Sequence, residues 1–170
     1  MKAKRLAELG LLTAAALIIF IIESFIPYPF PIPGIKLGLA NIITVYTVYR
    51  YRAYEAAAVL LVRILLGAIF GGNFYALIYS LAGGFLCIAG MLLLKKVIDE
   101  KHLWLASIFG AVLHNTGQII AAVILLQTPA ILAYYPFLVV SGCLSGAFTG
   151  LCAQIVVKRV VSSQLFTQKS

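Results

Sequence analysis

Charge is what this sequence has least of: 11% of its 170 residues are Asp, Glu, Lys or Arg, and five are acidic. A soluble domain carries roughly 25% charged residues, so water cannot be the solvent for most of this surface. No G-x-x-x-x-G-K-[ST] run is present, which excludes ATP binding through a phosphate loop. The acids are too scattered to hold magnesium against a diphosphate, since the adjacent pair, Asp99 and Glu100, falls in a charged connection. Catalysis is left without machinery, and the expectation is a protein that is not an enzyme and needs neither metal nor cofactor. Cys87, Cys143 and Cys152 stand singly inside apolar runs, without the spacing of a metal knuckle or the even count of a disulfide framework. They read as small packing residues. There is no internal repeat and no low-complexity segment.

What the chain has is apolar length. Hydrophobic residues make up 63% of it, the mean hydropathy is +1.07, and at ~20 residues per crossing it holds about six transmembrane helices with short connections. The expected fold is a single all-α membrane domain over residues 1–170, with spans near 6–26, 37–50, 55–72, 74–94, 104–127 and 133–157. The basic start followed by an apolar run resembles a signal peptide, but no small-residue cleavage site follows, so the run reads as a retained first helix.

The second segment is short for a full crossing, and the distribution of Lys and Arg tests it, because these residues collect in short cytoplasmic loops. If all six segments cross, Lys2, Lys4, Arg5, Arg50, Arg52, Lys95, Lys96, Lys101, Lys158, Arg159 and Lys169 share one side. Only Lys36 falls outside and Arg63 within the bilayer. If the second segment does not cross, this bias collapses. The expectation is therefore a multi-pass protein of the plasma membrane with both termini in the cytoplasm. The net charge of +8 then reports membrane orientation, and no nucleic-acid partner is expected.

Pro27, Pro29, Pro31 and Pro33 alternate with apolar and aromatic residues, which rules out a helix there and predicts a stiff extended loop able to cap a cavity or simply to space two helices. Ala3, Ala7, Gly10 and Ala14 fall on one stripe of the first helix. In lipid such a stripe marks a close helix contact, either with another helix of this chain or with a separate membrane subunit. Gly142, Gly146 and Gly150 repeat every four residues in the last helix, where packing within the chain is the expectation.

Ionisable and amide side chains inside spans are costly and mark sites. Arg63 and His114 both fall near mid-bilayer at 1.5 Å per residue, with Asn115 and Gln118 just outward of His114. Asn41, Asn73, Tyr75 and Tyr79 lie toward the outer side, with Lys36 at the mouth. Glu23, about a turn below Pro27, is within reach of Lys36. Arg63 is then left to carbonyls, to Asn115 or to an anionic ligand, with a stretched pairing to Glu23 as the other reading. The candidate substrate-binding set is thus Lys36, Asn41, Arg63, Asn73, Tyr75, Tyr79, His114, Asn115 and Gln118. Charged donors and ring faces together suit an anionic or ring-bearing small molecule.

Four ordered motifs carry a family resemblance: G-I-K-L-G-L-A-N from Gly34 to Asn41, R-I-L-L-G from Arg63, G-N-F-Y-A-L-I-Y-S-L-A-G-G from Gly72 to Gly84, and H-N-T-G-Q from His114 to Gln118. The chain resembles the Gx transporter family, also labelled heptaprenyl diphosphate synthase component I, over about residues 7–157. That family is similar to the substrate-binding S components of energy-coupling factor (ECF) transporters. The resemblance implies a six-helix bundle that captures a vitamin-like or cofactor-precursor molecule, flavin-like, quinone-precursor or isoprenoid. A membrane T subunit with two ATPases would supply the coupling, the small residues of the first helix, Ala3 and Ala7 foremost, would dock on the T subunit, and the proline-rich loop would gate the pocket. The synthase label implies a different role, that of a non-catalytic membrane accessory subunit of a heptaprenyl diphosphate synthase.

Overall fold

The computed structural model describes residues 3–26, 38–72 and 74–167, with side chains as far as 159. Within them the chain is all helix: α1 (Ala3–Ser24), α2 (Asn41–Arg50), α3 (Ala53–Gly71), α4 (Phe74–Leu94), α5 (Leu103–Leu126) and α6 (Tyr135–Thr167), with short 3-10 turns at Glu100–His102 and Pro129–Tyr134. Five of these helices are long and apolar enough to cross a membrane, and the protein is a multi-pass membrane protein. The proline-rich stretch, Lys36 and Asn73 lie outside the described residues.

Local chemistry accounts for the boundaries. Arg52, extended at φ −75° and ψ 153°, precedes α3 and exchanges side chain and backbone bonds with Glu55 in a capping box. Gly72, at φ +59°, closes α3 in the left-handed conformation that glycine enters without a Cβ penalty. Pro136 sits in the first turn of α6, where its missing N–H is no loss.

α2 departs from the rest. It has 10 residues, ~15 Å of helix against a hydrocarbon core of ~30 Å, and it packs against each of the other long helices. The expected segment 37–50 is thus a half-length inner helix over its described part, and five helices are full-length among the described residues. Its two ends nevertheless return the chain along α1. The amides of Gly38 and Leu39 donate to Glu23 near the end of α1 at 2.7 and 3.0 Å, and the Tyr51 hydroxyl donates to Glu8 near its start at 3.3 Å. Arg5, Arg50 and Lys95 gather at that second end, where Lys95 Nζ donates to the Val48 carbonyl at 2.7 Å and so caps α2.

Two apolar clusters occupy the ends of the bundle. One joins Val48, Leu60, Met91, Leu103 and Val157, the other Tyr79, Ile119, Ala122 and Leu138. The outer surface carries Ile18, Leu65, Phe85, Leu144 and Phe148 exposed, which water would penalise and lipid tails do not. α4 and α5 cross through glycine: a Cβ on Gly117 would stand 2.6 Å from the Ala82 carbonyl oxygen and 2.7 Å from the Gly83 α-carbon. Along α6, Gly146 and Gly150 meet the backbones of Ile108 and Trp104 in the same way, the internal packing that their four-residue spacing suggested.

Candidate functional site

Between the apolar clusters lies a layer of buried polar side chains. Asn41, Arg63, His114, Asn115 and Gln118 come from α2, α3 and α5, and each is at most 3% exposed. Every one holds an atom with no hydrogen-bond partner among the described residues: Asn41 Nδ2 and Oδ1, Arg63 Nη2, His114 Nδ1, Asn115 Oδ1 and Gln118 Oε1. Native proteins leave few buried polar atoms unpaired, since each costs about 1–3 kcal/mol. Their collection at one level of an apolar bundle makes this layer the candidate site.

Two glycines let the layer close up. Gly38, at φ +81°, leaves room that a Cβ would fill, 2.8 Å from Asn41 Nδ2 and 3.3 Å from His114 Cδ2. The same φ is one an L side chain rarely adopts. On α4, a Cβ on Gly83 would stand 3.0 Å from Gln118 Cγ and 3.1 Å from His114 Cε1. His114 and Gln118, one turn apart on α5, therefore share the face toward α4 and α2. Asn115 turns the other way and donates to the Leu138 carbonyl of α6 at 2.7 Å.

Arg63 lies in the middle of α3, with its guanidinium carbon 5.6 Å from the centroid of the Phe20 ring, a cation–π distance. Glu23, Cys87 and His114 are within its electrostatic reach. Glu23 itself is 1% exposed and spends both carboxylate oxygens on the Gly38 and Leu39 amides. This buried carboxylate anchors the entry to α2, and the expected pairing of Glu23 with Lys36 lies outside the described residues. Tyr79 is 1% exposed and belongs to the apolar cluster at the far end, 6.4 Å from Tyr75 between ring centroids. Tyr75 is 52% exposed and does not join the buried set.

The small-residue stripe lies on the outside. Ala3, Ala7, Gly10 and Ala14 are all exposed, and a Cβ on Gly10 would meet nothing within 4 Å. Of the two readings of the stripe, packing within the chain has no support here. Gly10 and Ala14 instead border an open apolar groove of about 580 Å³ between α1 and α3, lined further by Leu6, Thr13, Val59 and Val62.

One cluster at the other end of the layer went unread in the sequence. Arg5 grips Glu55 with two bonds, Nε to Oε1 at 3.0 Å and Nη2 to Oε2 at 2.7 Å. Its guanidinium carbon lies 4.3 Å from the Tyr51 ring centroid. Burial, reinforced by the Glu8 carboxylate, raises the Tyr51 phenol above its ordinary pKa and keeps it a donor. The R-x-x-E spacing of Arg52 and Glu55 was the available signal for this helix start. No group of three His, Cys, Asp or Glu side chains able to hold a metal occurs among the described residues.

These features define a polytopic membrane helix bundle with a polar layer sealed at mid-depth. The profile of the family described as heptaprenyl diphosphate synthase component I matches residues 12–156, and the chain belongs to that family. A search of curated proteins finds no match, nor does one of solved structures.

Proposed function

We propose that the chain is the substrate-binding membrane subunit of an ECF-type transporter, holding a small vitamin-like or cofactor-precursor molecule in the buried layer of Asn41, Arg63, His114 and Gln118. The observation that carries this reading is the set of unpaired polar atoms on side chains at most 3% exposed. A scaffold has no use for unpaired groups that each cost about 1–3 kcal/mol, whereas a binding site leaves them for its ligand. The outward face of Ala3, Ala7, Gly10 and Ala14 offers a close-approach surface for a T subunit carrying two ATPases. Lys36 and Asn73 would complete the mouth of the site, with Tyr75 and Tyr79 toward the outer end, and Asn115 would steady α5 against α6. Both termini, with Arg5, Arg50 and Lys95, would face the cytoplasm of the plasma membrane.

The family's name favours a second reading, a non-catalytic accessory subunit of a prenyl-diphosphate synthase. Affinity purification from native membranes in mild detergent separates the two. A T subunit with ATPases in the complex supports the transporter reading. A soluble prenyltransferase in their place overturns it in favour of the accessory role.

A further inference from the structure

The unpaired atoms specify more than the presence of a ligand. Asn41 leaves both its amide nitrogen and its amide oxygen without partners, so whichever way that amide is turned it offers one donor and one acceptor. Gln118 adds the unpaired oxygen Oε1, Arg63 adds the donor Nη2, and His114 adds Nδ1, an acceptor when its other ring nitrogen carries the proton toward the Gly83 backbone. A molecule that satisfies this set must bring N–H or O–H donors as well as carbonyl-type acceptors.

The charge balance points the same way. Arg63 is the one cation of this buried set among the described residues, and the Glu23 carboxylate lies within its electrostatic reach. Among the described residues of the layer the two charges offset each other. A diphosphate carries several negative charges and no donors, so its oxygens would face the Asn41 and Gln118 oxygens across a medium that screens little. No cluster of acids is present among the described residues to hold the divalent cation that usually accompanies it.

We propose, on the reading that the buried layer is a ligand site, that it takes a neutral or singly charged molecule whose polar edge alternates carbonyl oxygen with ring N–H, an imide- or lactam-edged heterocycle, and that it rejects prenyl diphosphates. Asn41 pairs with adjacent C=O and N–H of that edge, Gln118 accepts from a second N–H, and Arg63 donates to a carbonyl. The aliphatic walls on either side exclude water and so strengthen each of these bonds.

The test uses the purified full chain in nanodiscs and three probes: lumazine, whose dione ring presents this edge, 1,3-dimethyllumazine, which lacks the ring N–H donors, and geranyl diphosphate. Fluorescence titration should show lumazine binding, weakened by about tenfold or more on methylation, the loss expected when acceptors are stranded. Asn41→Leu should reduce the discrimination between the two lumazines and Asn41→Leu with Gln118→Leu should abolish it, a readout that merely structural amides would not move. Native mass spectrometry of the protein as isolated gives the identity of any retained molecule. Equal binding of the two lumazines overturns the proposed edge recognition. Binding of geranyl diphosphate that depends on Arg63, with none of lumazine, overturns the ligand class while leaving the site intact. If no probe binds and no molecule is retained, the reading of the layer as a ligand site falls as well.

Discussion

Arg5 and Glu55, fifty residues apart in sequence, form a two-pronged ion pair of 2.7 and 3.0 Å that ties the start of α1 to the start of α3. α1 is otherwise a peripheral helix, with only 28% of its most apolar window buried. The pair also completes the α3 capping box, because Glu55 accepts from the Arg52 amide at 2.9 Å. Arg5→Gln should lower the melting temperature in detergent by releasing α1, and Glu55→Gln should lower it further by removing the cap as well. In a double-mutant cycle the combined loss should be smaller than the sum of the single losses. Strict additivity would show that the two side chains do not support each other in the membrane.

Arg63→Gln keeps hydrogen-bonding capacity but removes the charge and the forked geometry. Affinity for the bound molecule should fall by roughly 1.5–3 kcal/mol, about tenfold to more than a hundredfold. Binding isotherms on wild type and variant measure this. Unchanged affinity would sink the ligand-contact role.

Glu23→Gln leaves one amide oxygen where two carboxylate oxygens held the Gly38 and Leu39 amides. The loss should be about 2–3 kcal/mol of stability, the scale of a hydrogen bond to a charged group plus a stranded donor. A detergent melt or chemical unfolding in micelles checks it. Arg63→Gln in the same chain should restore part of the loss, because Arg63 then no longer lies buried without its countercharge.

Two glycines should respond in opposite ways. Gly117→Ala drives a Cβ to 2.6 Å from the Ala82 carbonyl oxygen and should cost about 1–3 kcal/mol, as over-packing does. Gly10→Leu enters open space on α1 and should leave the isolated chain as stable as before or slightly more so, since leucine forms helix better than glycine. It should at the same time abolish association with a partner membrane subunit. Co-purification together with melting separates these effects, and a Gly10→Leu chain that still assembles would remove the stripe from the interface.

Orientation is open to a labelling experiment. Cysteines placed at Asp99 and Thr128 probe opposite ends of α5, in a background where Cys87, Cys143 and Cys152 are replaced. An impermeant thiol reagent on intact cells should label Thr128→Cys and spare Asp99→Cys. The reverse pattern would invert the proposed topology.

Hydropathy made the long helices legible almost to the residue: the expected segments 74–94 and 104–127 correspond to Phe74–Leu94 and Leu103–Leu126. A run of some twenty apolar residues has one way to satisfy its backbone in lipid. That Arg63, His114, Asn41 and Gln118 are polar groups within apolar runs was legible for the complementary reason, because such groups stand out by their cost, and the structure buries all four. The partnerships were not legible. Arg5 finds Glu55 and Lys95 finds the carbonyl of Val48 across long sequence separations that composition and period do not encode. The bonds of Glu23 to the Gly38 and Leu39 amides were not legible either, because backbone amides are supplied by any residue at positions 38 and 39 except proline. Tyr75 entered the candidate set as a polar ring toward the outer side, but its place at the first turn of α4 leaves it half outside.

The brevity of α2 bears on how the protein is made. Ten residues are too few to be released sideways into lipid as an independent unit, since transfer to the bilayer requires a segment long enough to cover its hydrophobic thickness. α2 acquires its seat only from neighbours: Glu23 is already synthesised when Gly38 emerges, but Lys95, which closes the other end on Val48, follows 47 residues later. During synthesis the Glu23 contacts can therefore form first, and the Val48 and Tyr49 carbonyls can be bonded by Lys95 only once α4 has been made. Ribosome-bound chains truncated before Lys95 should hold an open, protease-sensitive α2, and the buried layer to which Asn41 belongs is completed later still, when α5 brings His114 and Gln118.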